Sequence, residues 1–454
     1  MSAVIGDEVI VGTGSGPTAR AVRIGWDLVR NGPGVVVSNA SALVLTTLIT
    51  SALGVVFWWL AAQHFVPASV GLAAATVSAS QLLGTLCVLG LGTFLITELP
   101  GAQPEHRSAL VSTAVFVSST LGIVVGVVFA MIAPIFTREL QPLQGDIVLT
   151  TLFALAVSST AAGAILDQVA IGSLQTKFQL WRNVVYAVGK LGVLAAVTSL
   201  AVGNQALIIF AAWPIGNVLS LVLLTRLLAT SPRAIGLSRP RLHLIRRLGG
   251  AGISHHALNL SLQFPSMILP MVVTVMLSAT ANAFFYTAWM AANLAVLPQN
   301  ALAMTLFAVG VHEPNNLARR TRLTLGLGLL AALVAIAVLY VAGNLMLGVF
   351  GHTYAEEASA ALRILALAVF PLIIKNHCMV LFRIQRRVLA GAASAAAGAA
   401  VEVAGAAVGA QAAGLPGLCI GWLIALSCEA GVMLPTVVRS AGWFRASAQP
   451  RADV

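Results

Sequence analysis

Five ionisable residues interrupt otherwise apolar runs in this chain: Asp167, Lys190, Lys375, Glu402 and Glu429. An ionisable group at membrane depth costs several kcal/mol and marks a functional position by default. Two chemistries fit these residue types. Opposite charges on neighbouring helices can neutralise each other as internal ion pairs. Alternatively, the lysines face a water-filled cavity and bind an anionic group, while the carboxylates tune them or carry a coupling ion. Asp167 and Lys190 each lie eight residues from the loop at 175–182, which places both about 12 Å along their helices, where they can meet. In the second half the signs are exchanged, with Lys375 on the tenth apolar run and Glu402 on the eleventh.

Other polar residues on apolar runs are candidates for lining such a cavity: Gln81, Asn259, Gln263, Asn293, Gln299 and Asn376. Single polar groups in membrane helices also serve as interhelical hydrogen bonds, so both roles stay open. Pro265 and Pro270 fall within one run. Proline removes a helical hydrogen bond and kinks the helix, which makes that run a candidate gate. His255, His256 and His377 are poor metal ligands, because adjacent helical residues diverge by about 100° and no Cys or acid stands at ligand spacing. No metal site, cofactor motif, phosphate-binding glycine loop or catalytic motif is found, so an enzyme is not expected.

The elements that must position these groups are membrane helices. The chain has 454 residues, 59% hydrophobic and 9% charged, against about 25% charged in soluble domains. Apolar runs long enough to span a bilayer recur throughout. Twelve spans are expected near 35–63, 67–98, 107–135, 147–173, 182–203, 205–229, 248–277, 280–310, 318–349, 357–383, 388–412 and 415–438. The eleventh is dominated by Ala and Gly, which suits close helix packing. Cys87, Cys378, Cys419 and Cys428 all fall inside spans, with no disulfide framework.

The net charge of +11 does not point to nucleic acid, because the basic residues follow the topology. With the amino terminus inside, 21 Lys and Arg fall on cytoplasmic segments and only Arg138 and Arg363 on the outer side. Six of these arginines form a central linker from Arg226 to Arg247 that contains no acid. The expected organisation is a cytoplasmic tail at 1–34, a six-helix lobe at 35–229, a basic linker at 230–247, a second six-helix lobe at 248–438 and a cytoplasmic tail at 439–454. Residues 17–30 read either as a short amphipathic surface helix or as a plain basic flank. No cleavable signal peptide is evident.

The stretch 38–100 carries a long first span, the aromatic end Phe57-Trp58-Trp59, then VGLAAA and LGLGTFLI. It resembles the polysaccharide exporters and Wzx-type flippases of lipid-linked oligosaccharides, in the superfamily that also holds MATE multidrug extruders. The resemblance implies an all-α, V-shaped fold of two six-helix lobes in the plasma membrane, alternating access and a cationic central cavity. Its expected cargo is an anionic polyprenyl-diphosphate-linked glycan, received by Lys190 and Lys375 from opposite lobes. The bilayer and glycan-assembly proteins are the expected partners. Two other classes remain: an ion-coupled drug or metabolite antiporter, which favours a carboxylate-dominated cavity, and a non-transporting scaffold, which has paired charges and no cavity.

Overall fold

In the computed structural model, the described residues are 33–136, 146–173, 175–198, 204–229, 238–247, 250–312 and 316–442. The expected surface helix at 17–30, most of both tails and residues 230–237 of the linker lie outside them. The fold is all-α. In chain order the first six-span half contains α1 (Pro33–His64), α2 (Pro67–Leu86), α3 (Leu91–Glu98), α4 (Pro104–Phe136), α5 (Ile147–Gly172), α6 (Thr176–Thr198) and α7 (Gln205–Ala229). The second contains α8 (Gly250–Met276), α9 (Ala279–His312), α10 (Leu317–Gly348), α11 (His352–Ala366), α12 (Val369–Ile384) and α13 (Val388–Ser440).

Ten of these helices are long and apolar enough to cross a bilayer. The pair α11 and α12, bent by 44°, makes another. The 53-residue α13 is two spans folded back at Ala413–Gly414. The twelve expected spans are therefore present, as a multi-pass membrane fold. The reversal in α13 needs Gly414, whose φ of 60° and ψ of −140° are open only to glycine. The two arms of α13 then touch through Gly405 against Gly421 and Gly409 against Gly417, where any Cβ would strike backbone. The small-residue run thus serves packing, as helices in lipid gain most from close backbone approach.

Two elements depart from simple spans. The second expected span breaks between α2 and α3, where Leu89 (φ 51°) and Gly90 (φ 78°) turn the chain. Gly90 approaches the backbone of Gly252 on α8, which leaves no room for a side chain. Arg182, the last residue of the expected loop at 175–182, lies instead inside α6, which starts at Thr176.

The buried clusters show how the halves meet. At the arginine-poor end one cluster joins both halves: Phe57, Trp58, Phe65 and Val70 pack with Leu269, Val273, Phe284 and Phe285. There Asn282 on α9 donates to the Gly71 carbonyl on α2 (2.7 Å), and Gln63 donates to the Val349 carbonyl (2.9 Å). At the arginine-rich end the clusters are separate. Leu91, Leu95, Ala109 and Ile165 pack within the first half together with Leu244 of the linker. Leu258, Met379 and Met433 pack within the second. The linker is fastened to α4, because Ser238 N–H donates to Ser112 Oγ (3.0 Å) and Arg241 N–H to Thr113 Oγ1 (2.8 Å). Two cavities lie between these helices.

Candidate functional site

The first cavity, of about 380 Å³, lies between the halves. Its walls come from α1, α2, α6 and α7 on one side and α8 and α9 on the other, and include Ser78, Gln81, Lys190, Ser266 and Asn293. No acidic residue lines it. Lys190 is buried at 4% exposure, yet it has no carboxylate partner among the described residues. Its ammonium is instead held by aromatic faces. Nζ lies 3.9 Å from the Trp213 ring centroid, 5.0 Å from Tyr186 and 5.2 Å from Phe57. Such faces attract a cation by about 0.5–2 kcal/mol each when desolvated. The three rings carry no formal negative charge, so they hold Nζ without forming an ion pair.

The sequence places Tyr186 four residues before Lys190, on the same helical face. Phe57 on α1 and Trp213 on α7 arrive from elsewhere in the chain. Trp58 and Tyr286 complete an aromatic group spanning both halves, with ring centroids 4.9 Å apart.

Asp167 does not meet Lys190. Arg182 forks onto it through Nε (2.8 Å) and Nη2 (2.6 Å), and Asn183 adds a weaker bond of 3.3 Å. The cause is helix register. Asp167 lies five residues before the end of α5 and Arg182 six residues into α6, so both sit about 8–9 Å from their turn. Lys190 is fourteen residues in, or about 21 Å. Arg182 also reaches Asn217 Oδ1 on α7 (3.4 Å), which ties three helices together. A planar guanidinium matches a carboxylate bidentately where a lysine cannot.

In the second half the pairing is tighter. Lys375 on α12 donates to Glu402 Oε1 (2.5 Å) and to Glu429 Oε2 (2.9 Å), on the two arms of α13. All three side chains are at most 6% exposed. Trp422 Nε1 donates to Glu402 Oε2 (2.6 Å). Glu429 Oε1 is buried with no partner among the described residues, and the carboxylate lies directly over Gly398. A second cavity of about 210 Å³ opens beside this triad, lined among others by Gln263, Pro265, Asn293, Asn376, Lys375 and Glu402. Ser266, Trp289 and Asn293 belong to both cavities.

The remaining sequence candidates fall elsewhere. Asn259 accepts from Arg383 (2.7 Å) and lines neither cavity. Gln299 is fully buried and donates to the Gly328 carbonyl (2.7 Å). Pro265 and Pro270 both lie inside α8, which runs as one helix through them. His377 is engaged by the Ile373 carbonyl (2.8 Å) and Thr324 Oγ1 (3.1 Å).

No family model and no curated protein matches this chain. Solved structures do. The fold is similar to an inward-facing MATE-family multidrug resistance transporter of the MOP superfamily, with TM-score 0.61 and 15% identity over 89% of this chain and 96% of that one. An outward-facing structure of the same description matches at TM-score 0.59 and 13% identity, over 90% and 96%. A MOP-superfamily transporter from Pyrococcus furiosus, described as having a binding pocket of reversed polarity, matches at TM-score 0.51 and 14% identity, over 95% and 97%. At these identities the likeness establishes a MATE-like fold.

Proposed function

We propose that this protein is an exporter that moves an anionic, polyprenyl-diphosphate-linked oligosaccharide across the plasma membrane by alternating access. The observation that carries the reading is Lys190: a buried lysine with no counter-ion among the described residues, facing a cavity between two halves that has no acid in its wall. A flexible, compact ammonium suits a mobile phosphate. The fold supports the reading further, because its solved neighbours are described in both inward-facing and outward-facing forms.

In this account the cytoplasmic side is the arginine-rich end, where the two halves have separate cores. Both termini and the basic linker lie on that side. The shared aromatic cluster at the other end closes the outer exit. Pro265 and Pro270 on α8 give the gate its soft point. With the cell interior negative, outward movement of the anionic head gains about 2.3 kcal/mol per charge per 100 mV. Nucleotide hydrolysis is then unnecessary.

Lys375 enters differently from Lys190. Two glutamates already claim it, so the diphosphate is assigned to Lys190, and the triad shapes the neighbouring pocket. One observation favours a second reading, an ion-coupled antiporter. The triad holds two carboxylates against one ammonium, with Glu429 Oε1 left unpartnered.

The test replaces Lys190 with Gln and measures export of lipid-linked glycan at equal membrane protein levels. A lost charged hydrogen bond of about 1.5–3 kcal/mol predicts a fall of about 10–100-fold. Full export by Lys190→Gln, or loss of resistance to organic cations instead, would reject the flippase reading.

A further inference from the structure

The second cavity has a chemistry distinct from the first. Four amide side chains converge on it: Gln263, Asn293, Asn300 and Asn376. Part of their hydrogen-bonding capacity is used internally. Asn376 Nδ2 donates to Asn300 Oδ1 (3.0 Å), Asn293 Nδ2 to the Trp289 carbonyl (3.0 Å) and Gln263 Nε2 to the Asn259 carbonyl (3.3 Å). These bonds fix each amide's orientation. They leave the Asn300 amide N–H groups and the oxygens of Asn376, Asn293 and Gln263 for a ligand. Beside them stand Trp289 and Trp422, with ring centroids 4.9 Å apart and planes at 60°, which form an apolar corner. The charged groups at the wall, Lys375 and Glu402, are engaged with each other.

We infer that this pocket is the subsite for the sugar attached to the diphosphate, an inference that rests on the cargo proposed above. A sugar ring presents hydroxyls that both donate and accept, and C–H faces that pack on indole. Fixed amides together with an aromatic corner match both properties. A phosphate would find no free cation there, and an organic cation would find no free carboxylate at the wall. The position agrees with the chemistry. Ser266, Trp289 and Asn293 form the boundary common to both cavities, so a phosphate at Lys190 and the sugar bonded to it can be held together. One ligand then touches α6 in the first half and α12 in the second. The division of labour follows: Lys190 recognises the anionic head common to all such lipids, and the amides select the sugar.

Binding to the full-length protein in detergent distinguishes the two levels. The probes are farnesyl diphosphate and its derivatives bearing one glucose, galactose, mannose or N-acetylglucosamine, measured by titration calorimetry. At least one sugar-bearing probe should bind about 10-fold more tightly than farnesyl diphosphate, from two added hydrogen bonds of about 0.5–1.5 kcal/mol each. Asn300→Ala, Asn376→Ala and the separate variant Gln263→Ala should remove that gain and leave the sugar-free affinity unchanged. Lys190→Gln should weaken every probe. Thermal unfolding identifies any variant that fails to fold, and the inference then stands or falls on the others. Equal affinity for probes with and without sugar overturns the subsite, as does equal weakening of both by the amide variants. If farnesyl diphosphate does not bind the unaltered protein, the cargo reading itself fails, and the subsite with it.

Discussion

Replacing Lys375 with Met removes one ammonium that serves two carboxylates. Both glutamates and the lysine are nearly fully buried. Breaking a buried ion pair from one side costs about 3–5 kcal/mol, chiefly because the remaining charge is left uncompensated. With two carboxylates released together, the upper end of that range is expected. The structure also orders the rescues. After the loss of Lys375, Glu402 keeps the hydrogen bond from Trp422 Nε1 (2.6 Å), whereas Glu429 loses its one hydrogen-bond partner among the described residues. A hydrogen bond to a charged group contributes about 1.5–3 kcal/mol. Adding Glu429→Gln to Lys375→Met should therefore restore more stability than adding Glu402→Gln. The neutral triple variant should come within about 2 kcal/mol of the unaltered protein, since replacing a whole buried charge group often costs little. Reversible unfolding in mixed detergent micelles measures all four variants. A loss below about 1 kcal/mol for Lys375→Met, or a larger rescue from Glu402→Gln, would refute the assigned triad.

The Asp167 pair gives a contrasting case. Asp167→Asn should cost about 3–5 kcal/mol by stranding the buried Arg182 guanidinium, whereas Lys190→Gln should cost less, since it loses ring contacts but strands no carboxylate among the described residues. The same unfolding assay compares them, and equal losses would contradict the separation of the two sites. For orientation, a Ser238→Cys variant, with exposed Cys428 first changed to Ser, should react with membrane-impermeant thiol reagents only from the cytoplasmic side, and Thr353→Cys only from outside. Labelling of position 238 from outside in intact cells would reverse the topology.

The twelve spans were legible in the sequence because lipid leaves so few choices. A run of about 20 apolar residues must satisfy its backbone internally, and a helix is the one local way to do so. Breakers such as Gly414 and the small residues of 388–412 marked the hairpin of α13 for the same reason. The identity of the five buried ionisable residues was equally plain, since charges stand out in apolar runs. Their partners were not. Pairing depends on depth, and a helix turn rises about 5.4 Å. Placing the start of α6 six residues late put Arg182 in a loop and left Lys190 as the apparent partner of Asp167. Glu429 became the second partner of Lys375 only once α13 folded back on itself. Tyr186 could be read from its four-residue spacing to Lys190, but Phe57 and Trp213 reach the same ammonium from helices far away in sequence. Periodicity along a chain fixes which face of a helix is polar. Which face of another helix it meets, at which height, is set by packing among all twelve, and that packing left Lys190 without a carboxylate partner among the described residues.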